Sequence, residues 1–150
     1  MKNVLKASIL SLSLAFLLTG CESKSSKTLS CSLSNDVNSM MSMSQTIEAV
    51  FKGSELTDIN QNIKMTVKDD YVSYIDSMAD GVRNQYEEIK DKDGVEFKVE
   101  VKDNVIDTTL NAELKKLDDA AKKKLSINNY ESETYENAKK SLEAAGYTCK

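Results

Sequence analysis

The chain has 150 residues, a length that allows one domain, with 40% hydrophobic residues, 29% charged residues and a formal net charge of −4. It contains no histidine, which excludes Ser-His and Cys-His catalysis as well as imidazole metal sites. The acidic charge balance argues against nucleic-acid binding, which needs a basic surface.

The first 20 residues have the layout of a secretory signal peptide. Lys2 and Lys6 give it a positive start, and an apolar run follows over residues 7–18. As a helix this run would span about 18 Å, at about 1.5 Å per residue, whereas the hydrocarbon layer of a membrane is about 30 Å thick. We therefore expect a signal peptide that is removed, rather than a transmembrane helix.

The segment ends in Leu18, Thr19, Gly20 and Cys21, and this LTGC sequence resembles the lipobox of bacterial lipoproteins. The resemblance implies cleavage before Cys21 and a diacylglyceryl group on its sulfur atom. Two acyl chains anchor a protein stably, whereas a single chain holds it only marginally. We expect an extracytoplasmic protein on a bacterial membrane, with a Ser- and Lys-rich tether over residues 21–30. An ordinary signal peptide followed by a free cysteine is the alternative.

The cysteine count supports the same interpretation. Three cysteines in an exported chain leave one of them unpaired. If Cys21 carries the lipid, Cys31 and Cys149 remain as a pair, and a disulfide between them would close nearly the whole domain into one loop. Closure of a loop of about 100 residues is worth about 4.7 kcal/mol in the chain-entropy model. The alternative, a two-thiolate metal site, lacks the further Cys or His ligands that zinc prefers.

Period-two alternation of apolar and polar side chains predicts a first pair of antiparallel strands. The first strand covers about residues 40–51, and Gln45 is a polar exception on its apolar face. The second covers residues 59–68, and a Gly-containing turn over residues 52–55 joins the two. The apolar face of the second strand consists of Ile59, Ile63, Met65 and Val67.

After Asp69 and Asp70, the spacing between apolar residues changes from two to three and four. The two aspartates suit the first turn of a helix. The helix is expected to stop near Gly94, which can adopt backbone angles that other residues avoid. The apolar residues at these spacings predict an amphipathic helix of about five turns, and they are Val72, Ile75, Met78, Ala79, Val82, Tyr86 and Ile89.

Strict alternation returns over residues 95–110 and predicts a second hairpin, with a tight turn at residues 102–104. Asn111 is then expected to cap a helix. After a polar segment, apolar residues at helical spacing predict a last helix over residues 135–145. Gly146 follows it, in the position that ends helices. The apolar side of the helix after Asn111 consists of Leu114, Leu117, Ala121 and Leu125.

The predicted order of elements is therefore ββαββαα. The fold class that covers these apolar faces is α+β with two layers, a four-stranded, mostly antiparallel sheet of two hairpins packed on helices. The domain organisation follows as a lipoprotein signal peptide (1–20), a lipidated cysteine with its tether (21–30) and a single α+β domain (31–150).

Three groups of residues are candidates for metal binding. Asp76 and Asp80 lie four residues apart on the predicted long helix, and the DKDG sequence at residues 91–94 resembles part of a calcium loop. A methionine cluster at residues 40–43 could bind copper or adapt to varied partners. Each group also has a structural explanation, as a solvated helix face, a turn and core packing, respectively.

The arrangement as a whole resembles the YehR-like family of small bacterial lipoproteins. The resemblance covers essentially the whole chain. It rests on the LTGC lipobox, on the two hairpins of an α+β domain and on a C-terminal helix that runs into EAAGYTCK at residues 143–150. It implies the fold and the location, and it assigns no activity to particular residues.

We therefore expect a non-enzymatic binding or interaction module of the cell envelope, which uses its exposed sheet face or the edges of its helices. Its partner is an envelope protein or a small ligand, and no cofactor or nucleic acid is expected. The alternative function is a metal-binding or metal-buffering envelope lipoprotein. The predicted site residues are Cys21 for lipidation and Cys31 with Cys149 for the disulfide, with no catalytic or metal-ligating residue.

Overall fold

A computed structural model of the protein describes residues 25–125, 127 and 133–150. A 3-10 helix (Asp69–Tyr74) leads into α1 (Ile75–Tyr86), and two short helices follow later, α2 (Asp119–Lys124) and α3 (Tyr135–Ala144). The strands are β1 (Ser26–Asp36), β2 (Met41–Lys52), β3 (Glu55–Val67), β4 (Val95–Lys102), β5 (Val105–Glu113) and β6 (Thr148–Cys149).

The strands form one sheet in the order β4-β5-β3-β2-β1-β6, and every neighbouring pair is antiparallel. In the centre of the sheet, Gln45 of β2 lies opposite Ile63 of β3, and Ile47 lies opposite Gln61. On the other side of β3, Leu110 of β5 lies opposite Gln61. Side chains alternate along a strand, so these residues all project from the same face of the sheet.

The two faces of the sheet differ in chemistry. The polar face carries Ser, Thr, Asn and charged side chains that bond to each other. Asn62 donates a hydrogen bond to Asp107 Oδ1 at 2.6 Å, and Lys64 Nζ lies 3.3 Å from the other oxygen of that carboxylate. The opposite, helix-bearing face holds the core. Its buried strand residues include Leu29, Ala49, Phe51, Ile106, Leu110 and Ala112.

The longer helices cover the edges of the helix-bearing face rather than its centre. α1 packs on β4, and α3 packs on β1 and β6, at opposite edges of the sheet. α2 contributes Ala121 to the core beside Leu114 and Leu117. The side chains of Ile47 and Ile63, in the middle of the sheet, stay half-buried.

The predicted four-stranded sheet and the order ββαββαα are wrong. The described residues form a six-stranded, mostly β structure with the order βββαββααβ. The prediction lacks β1 because residues 26–30 have the composition of a tether, although Leu29, Cys31 and Leu33 alternate with serines. It lacks β6 because two residues are too few to show any periodicity.

The predicted helices are also shorter than expected. The long amphipathic pattern is α-helical only over α1, since residues 69–74 form the 3-10 helix and turns occupy residues 87–94. Asn111 lies inside β5 and caps no helix. α2 begins later and is capped by Asp118, whose carboxylate accepts a hydrogen bond from the Ala121 N–H at 2.8 Å.

The predicted turns of both hairpins are confirmed, as is the last helix, α3. Gly94 has a φ of 79°, and a Cβ atom there would lie 2.6 Å from Lys116 Cβ and 2.9 Å from the Glu113 carbonyl oxygen. Only glycine therefore fits at this point, where the segment after α1 touches the segment that leads to α2.

The predicted disulfide between Cys31 and Cys149 is confirmed. β6 pairs with β1 only through Cys31 with Cys149 and Ser32 with Thr148. One further backbone hydrogen bond runs from Lys150 N–H to the carbonyl oxygen of β1 residue 30, at 2.9 Å. The disulfide therefore adds a covalent attachment to a strand that has few backbone hydrogen bonds of its own.

The predicted signal peptide, its cleavage site and Cys21 lie outside the described residues. The same holds for the beginning of the tether, whereas residues 26–30 belong to β1. Within the part of the chain that the structure describes, no helix is long and apolar enough to cross a membrane.

The double substitution Cys31→Ala and Cys149→Ala is expected to lower the free energy of unfolding by about 3–5 kcal/mol. The cysteines are 118 residues apart, so their bond removes a large loop entropy from the unfolded chain. Urea denaturation followed by circular dichroism measures the loss. Reductant is the control, because it should destabilise the native chain and leave the double variant unchanged. Equal stability of the two oxidised proteins would contradict the prediction.

Candidate functional site

A cavity of about 300 Å³, which we call the sheet-helix cavity, lies on the helix-bearing face between the end of α1 and the end of α2. Its floor comes from two neighbouring cross-strand pairs of β3 and β5, Ile59 with Ala112 and Gln61 with Leu110. Leu110 and Ala112 are buried, whereas Ile59 and Gln61 are half-buried. The floor is therefore apolar except for one carboxamide.

Gln85 and Tyr86, in the last turn of α1, form one wall of the cavity. The Tyr86 ring packs on Phe97 of β4 with 4.6 Å between ring centroids, and Phe97 lies opposite Leu110 of the floor. Burial raises the pKa of the Tyr86 phenol above its ordinary value. A phenol is protonated at neutral pH even at its ordinary pKa, so this hydroxyl can donate a hydrogen bond from a ring that packs on Phe97.

Lys124, Leu125 and Ile127, at the end of α2 and just beyond it, form the opposite wall. The Leu125 N–H donates to the Ala121 carbonyl, and the Ile127 N–H donates to the Lys122 carbonyl, at 2.9 Å each. Main-chain hydrogen bonds thus hold this wall in place.

Two ion pairs join the segment after α1 to α2. Lys124 Nζ lies 3.6 Å from Glu88 Oε2, and Lys92 Nζ lies 2.7 Å from Asp118 Oδ2. The hydrogen bond from Lys92 and the backbone hydrogen bond from Ala121 lower the pKa of Asp118. These side chains are exposed, so the pairs add little stability. They do connect the two elements whose ends form the walls.

The polar lining groups differ in exposure. Gln85 and Lys124 are exposed, and Gln61 and Tyr86 are half-buried. Among the residues that the structure describes, neither Gln61 nor Gln85 uses its carboxamide in a hydrogen bond. A concave site with an apolar floor and a few available polar groups is the usual form of a small-molecule site.

The other carboxamide of this face, Gln45, has a partner inside the protein. It forms a hydrogen bond with the side chain of Tyr147, which lies just after α3. Burial raises the pKa of Tyr147, and the hydrogen bond with Gln45 acts in the opposite direction. Gln45 therefore links β2 to the C-terminal segment, whereas the Gln61 carboxamide has no partner among the described residues.

A larger cavity of about 620 Å³ lies where the segment before β4 passes the end of the sheet. Internal hydrogen bonds or ion pairs already engage the carboxylates of Asp58, Glu96 and Glu113. Asp91 and Asp93, from the DKDG sequence, complete its five carboxylates. Nine of its twelve lining residues are polar or charged, so we regard it as solvated surface.

The predicted metal candidates are not brought together. Within residues 25–125, 127 and 133–150, no group of three or more His, Cys, Asp or Glu residues could hold a metal ion. Asp76 is exposed on α1, and Asp80 pairs with Arg83 at 2.7 Å. Met43 lies opposite Met65, which packs against the core. Metal buffering stays a prediction that no described residue supports.

Comparison with solved structures identifies the fold. The chain is similar to the NMR structure of the E. coli YehR protein, with a TM-score of 0.59 and 20% identity, over 82% of this chain and 91% of that chain. The chain has a YehR-like fold. It is also similar to the NMR structure of a protein from Streptococcus pneumoniae TIGR4, with a TM-score of 0.60 and 15% identity, over 100% of this chain and 96% of that chain.

No protein-family model matches the sequence, and no curated protein matches it either. At identities of 20% and 15%, structural similarity establishes the fold alone. The YehR-like fold that the sequence resemblance implied is therefore supported, whereas lipidation remains a prediction.

Sequence reasoning missed every residue of the sheet-helix cavity. The one available signal was Gln61, a polar residue between Ile59 and Ile63 on the apolar face of β3. Gln85 and Lys124 gave no signal, because polar residues at the ends of helices are common. Only the packing of α1 and α2 on the same strands brings these side chains together.

Thr108 lies on the same face of β5 as the cavity floor. It is 3% exposed, and its hydroxyl has no hydrogen-bond partner. Thr108→Val keeps the shape of the side chain and removes an unsatisfied polar atom. We therefore expect the free energy of unfolding to rise by about 1 kcal/mol, as measured by urea denaturation.

Thr57 is the matched control for Thr108. It is also buried, but its hydroxyl lies 2.6 Å from Asp58 Oδ2 and 3.1 Å from the Val50 carbonyl oxygen. Thr57→Val should lower the free energy of unfolding by about 1 kcal/mol, because it removes a satisfied hydrogen bond. A loss of stability in both variants would show that the Thr108 hydroxyl is paired.

Proposed function

We propose that the protein is a non-enzymatic, lipid-anchored binding module outside the cytoplasm, which holds a small ligand or the side chain of an envelope partner in the sheet-helix cavity. The observation that carries the proposal is the cavity itself, whose buried floor of Leu110 and Ala112 is apolar. Its available polar groups are the Gln61 and Gln85 carboxamides and the Tyr86 hydroxyl. Binding needs only these groups, whereas no catalytic pair is present among them.

Sequence and structure both support the proposed location. The LTGC sequence that ends in Cys21 follows a positive start and a short apolar run. The disulfide between Cys31 and Cys149 fits export, because disulfides persist in oxidising compartments.

The proposed anchor would hold the domain close to the membrane. β1 begins at Ser26, five residues after Cys21, so the connecting chain reaches at most about 17 Å. The Gly53 N–H donates to the Ser25 carbonyl oxygen at 3.1 Å. The turn between β2 and β3 therefore belongs to the end of the domain that faces the anchor.

The anchor is tested by growing producing cells with an alkyne-tagged palmitate and measuring the intact mass of the protein. We expect the wild type to carry the label and the Cys21→Ser variant to lose it, because Cys21 is the proposed attachment atom. The variant with Cys31→Ala and Cys149→Ala should keep the label. Unlabelled wild-type protein that is cleaved at another position would contradict the anchor.

The binding site is tested by placing a photoreactive benzoylphenylalanine at Gln85 in the anchored protein and irradiating living cells. We expect a mass adduct on the peptide that contains this position, because Gln85 lies on the cavity wall. The same residue placed at Lys98, on the polar face of β4, is the control. The added substitution Leu125→Trp fills the cavity and should remove the adduct. Equal adducts at both positions, or none at Gln85, would contradict the proposal.

A further inference from the structure

We propose that the ligand of the sheet-helix cavity is a small amphiphile with a single apolar chain and an anionic head. Its chain would lie on the floor formed by β3 and β5, and its head would contact Lys124. This inference rests on the proposed binding function and names the chemical class of its ligand.

The floor and one wall of the cavity match an apolar chain. Leu110 and Ala112 are buried beneath it, and Leu125 and Ile127 form the side towards α2. A volume of about 300 Å³ lies at the lower limit of small-molecule pockets. A short single chain therefore fits better than a whole two-chain lipid.

The charge of the lining selects the head group. Among the described lining residues, Lys124 is the one that carries a charge. It lies in the last turn of α2, and of the three lysines of that turn it is the one that lines the cavity. An anionic head gains an attraction at this position, whereas a cationic head is repelled and a neutral head gains nothing.

The present partner of Lys124 can be replaced. Lys124 Nζ and Glu88 Oε2 are 3.6 Å apart, and the Glu88 side chain is 80% exposed. An ion pair this open to water contributes little. An anion in the cavity would thus exchange one weak contact of Lys124 for another that lies beside the apolar side chains of Leu125 and Ile127.

The neutral polar groups of the cavity can add hydrogen bonds to the same head. The Tyr86 phenol is protonated at neutral pH, as any tyrosine with an ordinary pKa is, so it can donate a hydrogen bond to an anion. The Gln61 and Gln85 carboxamides each offer two N–H donors. Carboxylate and phosphate oxygens both accept such bonds, and charge makes the bonds stronger.

The test uses the complete, membrane-extracted lipoprotein in phosphatidylcholine nanodiscs. It is exposed to diazirine-tagged C12 probes that differ only in the head: carboxylate, phosphate, alcohol or amine. Mass spectrometry measures the labelled fraction of the peptides that contain Gln85 and Leu125. We expect one of the two anionic probes, or both, to label these peptides about fivefold more than the alcohol, equivalent to about 1 kcal/mol. The two anionic arms identify which head is preferred.

Three variants isolate the contribution of Lys124. Lys124→Gln should reduce anionic labelling to the level of the alcohol. Lys123→Gln is the matched control, since it removes an equal charge one residue away from the cavity lining, and it should leave the preference intact. Glu88→Gln should increase anionic labelling, because it removes the competing carboxylate. Salt at 1 M should weaken the anionic preference in every protein that retains it.

Equal labelling by the anionic and alcohol probes, or equal effects of Lys124→Gln and Lys123→Gln, would overturn the inference. Failure of every probe to label the cavity peptides would overturn it as well. None of these results decides whether the cavity binds a ligand at all. The separate adduct experiment at Gln85 tests that proposed function. A neutral or cationic adduct there would refute the anionic ligand and keep the binding module, whereas no adduct would refute both.

Discussion

The register between β2, β3 and β5 is the constraint on which the rest of the structure depends. Cross-strand pairs such as Ala49 with Ile59 and Ile59 with Ala112 place the apolar residues of three strands on one face. A slip of one residue would move that whole set to the polar face and would bring Asn62 and its neighbours under the helices. The core and the sheet-helix cavity are therefore consequences of one choice of register.

The position of the helices explains why this face contains a cavity. α1 lies over β4 and α3 lies over β1 and β6, so the two longest helices are separated by the width of the central strands. α2 has only six residues and covers one end of the gap. Gln45 joins Tyr147 on the α3 side, whereas Gln61 faces the space between α1 and α2. The cavity thus arises where the helical layer is incomplete.

Local sequence patterns predicted the strands that have one buried face and one exposed face. β4 alternates a buried or half-buried residue with an exposed one along its full length, and its sequence shows the same alternation. β1 was missed because serine occupies its polar positions and Leu29 and Cys31 are its only buried residues. The disulfide followed from counting cysteines rather than from periodicity. The start of α2 depended on the Asp118 cap and on the turn that buries Leu114 and Leu117.

The cavity was beyond sequence reasoning because its parts come from four distant segments of the chain. The lining residues 59 and 61, 85 and 86, 110 and 112, and 124, 125 and 127 meet only after the sheet and helices have packed. No single period relates these segments. The useful signal in the sequence was a polar residue within an apolar pattern. Gln45 is such a residue, and it contacts Tyr147. Gln61 is another, and it lies in the cavity floor.

The disulfide also determines how the domain responds to mechanical force. Cys31 lies in the first strand and Cys149 lies next to the last residue, 118 positions later. Tension applied between Ser26 and Lys150 would run along a few residues of β1, cross the two sulfur atoms and leave through Lys150. The intervening polypeptide would bear none of that pull, so the protein could be stretched from these points without being unravelled.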